Sequence, residues 1–262
     1  MLSNPDTVAP PHLSSPRWAV GIQDVSFTYR TGTEIERATC VLQQISCGIQ
    51  VGERVALVGH NGCGKTTLFQ LICGVLRPDA GQITLFDQPV MPGQFYPEVG
   101  FLFQDPNDQL FSASVLEDIA FGPTQMGLDA TEIEQRVQQA LTVTGIQALA
   151  QRPPHHLSGG EKQMVAMAGL LAMRPRLLLC DEPTASLDLR ARRRLITFLA
   201  QTDQTLLIAS HDLEFVLEVC HRVVLLHQGR IVADGSCAGI LGNESLMQRY
   251  SLEKPYSLAN RA

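Results

Sequence analysis

Residues 59–66 read GHNGCGKT, which fits the spacing G-x-x-x-x-G-K-[ST]. The glycines let the backbone turn tightly enough for several N–H groups to face phosphate oxygens. Lys65 brings a positive charge to the outer phosphates, and the Thr66 hydroxyl is placed for Mg²⁺. Such a loop works only between a strand and a helix, and both are present. RVALVG (54–59) is a continuous apolar run ending in glycine, as in a strand buried on both faces. TTLFQLICGVL (66–76) sets Leu68, Leu71, Ile72, Val75 and Leu76 along one face of an amphipathic helix.

The rest of the chain repeats this alternation. IQDVSFTY (22–29) places Val25, Phe27 and Tyr29 on one face of a half-buried strand. PRLLLCD (175–181) and TLLIASH (205–211) read as short buried strands, and VVLLHQGRIV (223–232) as a hairpin turning near Gln228–Gly229. Residues 112–156 look helical, with capping patterns at SVLE (114–117) and DATE (129–132) and a stop at Pro153–Pro154. Buried strands alternating with helices indicate an α/β core with a parallel sheet, into which 112–156 is inserted. The block MVAMAGLLAM (164–173) is shorter than the ~18 apolar residues of a membrane span and reads as a buried helix.

The balance of 20 Lys and Arg against 26 Asp and Glu gives a net charge of −6, which disfavours non-specific nucleic-acid binding. Seven scattered cysteines without a CxxC pair read as free thiols in a reducing compartment. The histidines show no metal-ligand spacing. The N-terminal MLSNPDTVAPPHLSSPRW lacks a basic-then-apolar signal pattern and reads as a loose tail. RARRR (190–194) reads as a solvated basic helix face.

Two further segments carry chemistry. LLLCDE (177–182) is an apolar strand ending in two carboxylates, delivered to the sheet edge where ligands bind. Asp181 suits a Mg²⁺ contact, and Glu182 suits orienting or deprotonating a water. In LSGGEKQ (157–163), Ser158 can cap a helix starting near Gly160, whose free N–H groups form an anion site.

With the phosphate loop, LSGGE, LLLCDEPT, SLD (186–188) and a lone His211 after a strand in this order, the chain resembles the nucleotide-binding subunit of an ATP-binding cassette (ABC) transporter over most of residues 20–235. The resemblance implies a P-loop NTPase core with a mostly parallel sheet, an N-terminal antiparallel β subdomain and an inserted helical subdomain. The implied divisions are a tail (1–18), a nucleotide-binding domain (19–235, helical subdomain about 105–160) and a C-terminal extension (236–262). It implies an ATPase in which Tyr29 stacks on adenine. Gly59, His60, Asn61, Gly62, Cys63, Gly64, Lys65, Thr66 and Thr67 would hold the phosphates. Thr66, Gln104 and Asp181 would serve Mg²⁺, Glu182 would be the general base, and His211 would contact the γ-phosphate. Lys65 and Gln104 would join Glu182 and His211 in catalysis. Ser158 and Gly160 would reach the γ-phosphate held by a second ATPase subunit, identical or different, in a head-to-tail dimer. Glu161 stands where the family usually has Gln, and Met164 where Arg is usual. Cys63 predicts a slight thiol-reagent sensitivity relieved by ATP.

FQDPNDQLFSASVLEDIAFGP (103–123), GHNGCGKT and AMAGLLAMRP (166–175) are similar to the ATPase subunits of energy-coupling-factor and cobalt or nickel importers. That implies a peripheral protein on the cytoplasmic face of the membrane. A transmembrane subunit would dock near 104–111, with Gln109 facing it, and a separate membrane subunit would capture a vitamin or metal ion. Soluble ABC ATPases of DNA repair or translation usually carry a long coiled-coil insertion or a second cassette, and the sequence has neither. No nucleic-acid partner is expected.

Overall fold

The structure, a computed structural model, describes residues 18–30 and 38–259. The tail expected over 1–18 lies outside these residues except for Trp18, which opens the first strand. Among the described residues two sheets form. β1 (Trp18–Arg30) pairs antiparallel with β2 (Ala38–Gln50) on one side and with β4 (Ala80–Leu85) on the other, and β5 (Gln88–Pro89) closes the edge. The second sheet has the order β10-β9-β3-β8-β7-β6. In it β9 (Arg222–His227), β3 (Arg54–Val58), β8 (Thr205–Ala209), β7 (Leu177–Asp181) and β6 (Val99–Leu102) run parallel, with β10 (Arg230–Ser236) antiparallel at the edge. Every residue of β7 and β8 is buried, which is why their sequences are apolar without alternation.

α1 (Lys65–Ile72) lies between the sheets, and Phe69 and Leu71 join Ile45 and Leu57 in one core. The predicted helix continues to Leu76, but the chain leaves α1 at Cys73. Gly74 takes φ +72°, and both Val75 and Leu76 donate back to the Gln70 carbonyl. Val75 therefore turns outward and is 65% exposed instead of lying on the buried face.

The opposite face of the parallel sheet is covered by α4 (Gly159–Met173), α5 (Leu189–Gln201) and α6 (Leu213–Val219). α4 also packs with α2 (Val115–Gln125) and α3 (Ala130–Thr144) around Ile119, Leu141 and Val165, so the helical layer runs on to Met173. Ser114 and Asp129 cap α2 and α3 as their sequence patterns predict. Met164 is buried in this layer, where an arginine would need a partner for its charge.

The basic run on α5 is solvated at Arg190 and Arg193, while Arg192 and Arg194 are partly buried. Arg192 Nη2 lies 2.8 Å from Asp212 Oδ2, Arg193 pairs with Glu218, and Arg194 Nη1 donates to the Thr144 carbonyl at 2.9 Å. These arginines tie α5 to α6 and to the end of α3. The C-terminal α7 (Cys237–Leu241), α8 (Glu244–Arg249) and α9 (Tyr256–Ala259) pack on the same core through Leu241 and Met247, with Leu258 alongside. Among the described residues no helix is long and apolar enough to cross a membrane.

Candidate active site

β3 runs into the phosphate loop, and the loop is too crowded for side chains at two of its glycines. A Cβ at Gly59 would meet the Leu226 carbonyl oxygen at 2.2 Å; one at Gly64, which has φ +110°, would meet Leu42 Cδ2 at 2.6 Å. Lys65 is buried, and its Nζ donates to the carbonyls of Gly59 at 2.7 Å and His60 at 3.1 Å. The next residue, Thr66, gives its hydroxyl proton to Asp181 Oδ2. Asp181 ends β7 and is buried. Burial pushes its carboxyl up from the ordinary range, and the Thr66 hydrogen bond partly opposes this.

The parallel pairing of β7 with β8 sets Asp181 beside Ala209, so Glu182 and the Ser210–His211 pair leave the sheet together. Glu182 adopts φ +49° and donates its N–H to the Ala209 carbonyl at 2.9 Å. Its Oε2 lies 2.8 Å from His211 Nδ1 and accepts from Ser210 Oγ and the His211 N–H, both at 3.3 Å. Its Oε1 is buried without a partner. Ser210 was missed in the sequence, where only its place beside His211 marks it.

Tyr29, Asn61, Gly62, Gly64, Lys65, Thr66, Thr67, Gln104, Asp181 and Glu182 line one cavity of about 410 Å³. Tyr29 lies on the same side of β1 as Phe27, near the exposed end of the strand. It is 39% exposed, and its hydroxyl donates to Gln70 Oε1 at 3.2 Å. Its ring edge packs on Phe27.

His60, Cys63, Ser158 and Gly160 do not line this cavity. The His60 side chain turns to the Tyr250 carbonyl, 2.7 Å from Nε2. Cys63 is buried, and burial pushes its thiol up from the ordinary range, which disfavours the thiolate that reagents attack. Ser158 and Gly160, expected to act on the nucleotide of a second subunit, lie at a helix start that borders a neighbouring cleft through Gly159. There Ser158 and Glu161 form a reciprocal capping box, and the Glu161 carboxyl is held below its usual range by the Ser158 backbone and side-chain hydrogen bonds.

Gln104 follows β6 and is exposed in the cavity wall. Gln109 is half-buried and lines a cleft with Phe103, Leu110 and Phe111. Its Oε1 accepts from the Phe103 N–H at 3.2 Å and its Nε2 donates to the Phe101 carbonyl at 3.4 Å, so the amide braces the loop against β6.

The family model for the ABC transporter matches residues 42–185. A Synechocystis protein provisionally described as an ABC transporter ATP-binding protein is 58% identical over 92% of this chain and 82% of its own length. The energy-coupling factor transporter ATP-binding protein EcfA of Methanothermobacter thermautotrophicus is 39% identical over 90% of this chain and 76% of its own. Among solved structures, CbiO1 of Clostridium perfringens, part of the ABC transporter complex CbiONQ, has a TM-score of 0.75 and 33% identity, covering 93% of this chain and 98% of that one. The glycine-rich loop after β3, the paired carboxylates beside it and these likenesses agree: the chain belongs to the ATP-binding subunits of ABC transporters, ATPases that take ATP with Mg²⁺.

Proposed function

We propose that this chain is the ATP-hydrolysing subunit of an energy-coupling-factor type importer for a vitamin or a transition-metal ion such as cobalt or nickel. It would sit on the cytoplasmic face of the membrane. Its likeness to EcfA and to CbiO1 supports that branch. The observation that carries the reading is a second cavity of about 590 Å³ on the far side of the loop that holds Gln104. Its walls include Phe103, Leu110, Phe111, Phe121 and Met173, and Phe111 and Phe121 are exposed. Asp118 enters this apolar wall. Its Oδ1 accepts from the N–H groups of Phe111 at 3.2 Å and Ser112 at 3.0 Å, while its Oδ2 is buried without a partner. A transmembrane subunit's helix would fill the groove and supply a donor to that oxygen. Residues 103–111 wall both this groove and the nucleotide side.

The residues present fit ATP and Mg²⁺: crowded glycines, a lysine held only by carbonyls, a hydroxyl on a buried carboxylate and a glutamate oxygen without a partner. Mg²⁺, held by Thr66, Asp181 and Gln104, would neutralise charge on the phosphate oxygens. Lys65 exchanges its carbonyl partners for the phosphates, and Tyr29 stacks on the base. Glu182 is fixed through Oε2, which leaves Oε1 to take a proton from the attacking water. His211 can hold Glu182 and donate Nε2–H to a phosphate oxygen together only as the imidazolium. Ser158 and Gly160 complete the site of a second ATPase subunit, so two chains close over two ATP molecules. Residues 19–235 form the nucleotide-binding unit, with its helical part at about 105–160 and the 236–262 segment following.

Affinity purification from detergent-solubilised membranes tests this reading. A stoichiometric membrane protein should co-purify and be lost with Phe121→Glu. Recovery as a soluble nucleic-acid complex without a membrane protein would overturn it in favour of a DNA-repair or translation ATPase.

A further inference from the structure

Tyr250 follows α8, and its carbonyl oxygen lies 2.7 Å from His60 Nε2. A carbonyl only accepts, so Nε2 carries the proton. The Tyr250 end is well anchored. Its N–H bonds to the Leu246 and Met247 carbonyls, Met247 is fully buried, and its ring packs on His227 with centroids 4.9 Å apart. His227 ends β9, the strand paired with β3 next to the phosphate loop. At the other end, the His60 carbonyl accepts from Lys65 Nζ at 3.1 Å. One residue thus holds the C-terminal segment with its side chain and the phosphate-binding lysine with its backbone. His60 is exposed, so burial does not dictate where its ring points.

We infer that residues 244–252 position the phosphate loop through the His60–Tyr250 hydrogen bond, and that His60 is a positioning residue for ATP binding. The inference rests on the reading of Lys65 as the phosphate contact. When phosphates draw Lys65 away from the Gly59 and His60 carbonyls, the loop loses the internal tie that shapes it without nucleotide. The Tyr250 carbonyl is a tie from outside the loop that remains, so the loop keeps its shape at lower entropic cost.

The test compares His60→Phe, His60→Gln and Lys65→Ala in the full chain. It reads the Kd of a fluorescent ATP analogue with Mg²⁺ and the amide exchange of residues 244–252 with and without nucleotide. His60→Phe, which lacks a donor, should weaken binding about three- to tenfold and abolish nucleotide-dependent protection of 244–252. His60→Gln, which keeps an N–H donor, should stay within about twofold of the parent. Parent-like binding by His60→Phe, or equal loss in both His60 variants, overturns this inference while Lys65→Ala has lost ATP. Parent-like binding by Lys65→Ala overturns the phosphate-loop reading and this inference with it.

Discussion

His211 Nδ1 lies 2.8 Å from Glu182 Oε2, while Glu182 Oε1 is buried with no partner. One oxygen is fixed by three donors and the other is free. A buried acceptor left unsatisfied costs about 1–3 kcal/mol, and such a cost is retained where the group has work to do with a water or substrate.

Replacing that carboxylate by an amide keeps its shape and removes its basicity. Glu182→Gln should lower the rate of phosphate release about 10²- to 10⁴-fold while the Kd for MgATP stays close to the parent value. Parent-like turnover in the variant would remove Glu182 from the role of base.

The tie between α5 and the helical layer should register in stability. Arg194→Ala loses the hydrogen bonds from Nη1 to the Thr144 and Gly145 carbonyls. The guanidinium is part-exposed, so the expected loss is about 1 kcal/mol. It should be read as a lower urea midpoint with an unchanged slope. An unchanged midpoint would mean that α3 and α5 are held by apolar packing alone.

The cysteines should differ sharply towards iodoacetamide. Cys40 is exposed, whereas burial raises Cys63 and pushes the Cys73 thiol up to about 12. At neutral pH Cys40 should be modified first, and Cys63 should stay unmodified with or without ATP. Mass-spectrometric mapping checks the order, and early modification of Cys63 would contradict its burial.

Glu161 should make the start of α4 sensitive to acid. Its folded pKa is lowered by the Ser158 hydrogen bonds. The stabilisation is therefore present above the ordinary glutamate range and lost as pH falls through the folded value. Exchange at the first turn of α4, corrected for intrinsic rate, should rise over that acid interval in the parent and stay flat in Glu161→Gln.

Much of this architecture was legible because its signals are local. RVALV, LLLCD and TLLIA are apolar without alternation, as strands covered on both faces must be, and each became a central strand of the parallel sheet. Lys65, Thr66, Asp181 and Glu182 could be found because a loop and a strand end dictate where they go. What stayed hidden depends on distant partners. Arg192 and Arg194 meet Asp212 and Thr144, which lie 20 and 50 residues away in sequence, so their run looked merely basic. Tyr29 packs beside Phe27 as alternation predicts, but its exposure is set by how little of the fold covers that end of β1, which alternation cannot register. The partner of His60 is 190 residues downstream, and no spacing rule announces it.

The Gln109 brace has a mechanical consequence. Because its amide is fastened to backbone on both Phe101 and Phe103, the return leg of the loop is riveted to the end of β6. The piece between them is thus a short stiff tooth rather than a slack connector, with the Mg²⁺ side at its root and the apolar groove at its flank. Residues 103–111 thus give the nucleotide side and the apolar groove one shared wall, so on the proposed reading a change on either side would meet the same braced loop.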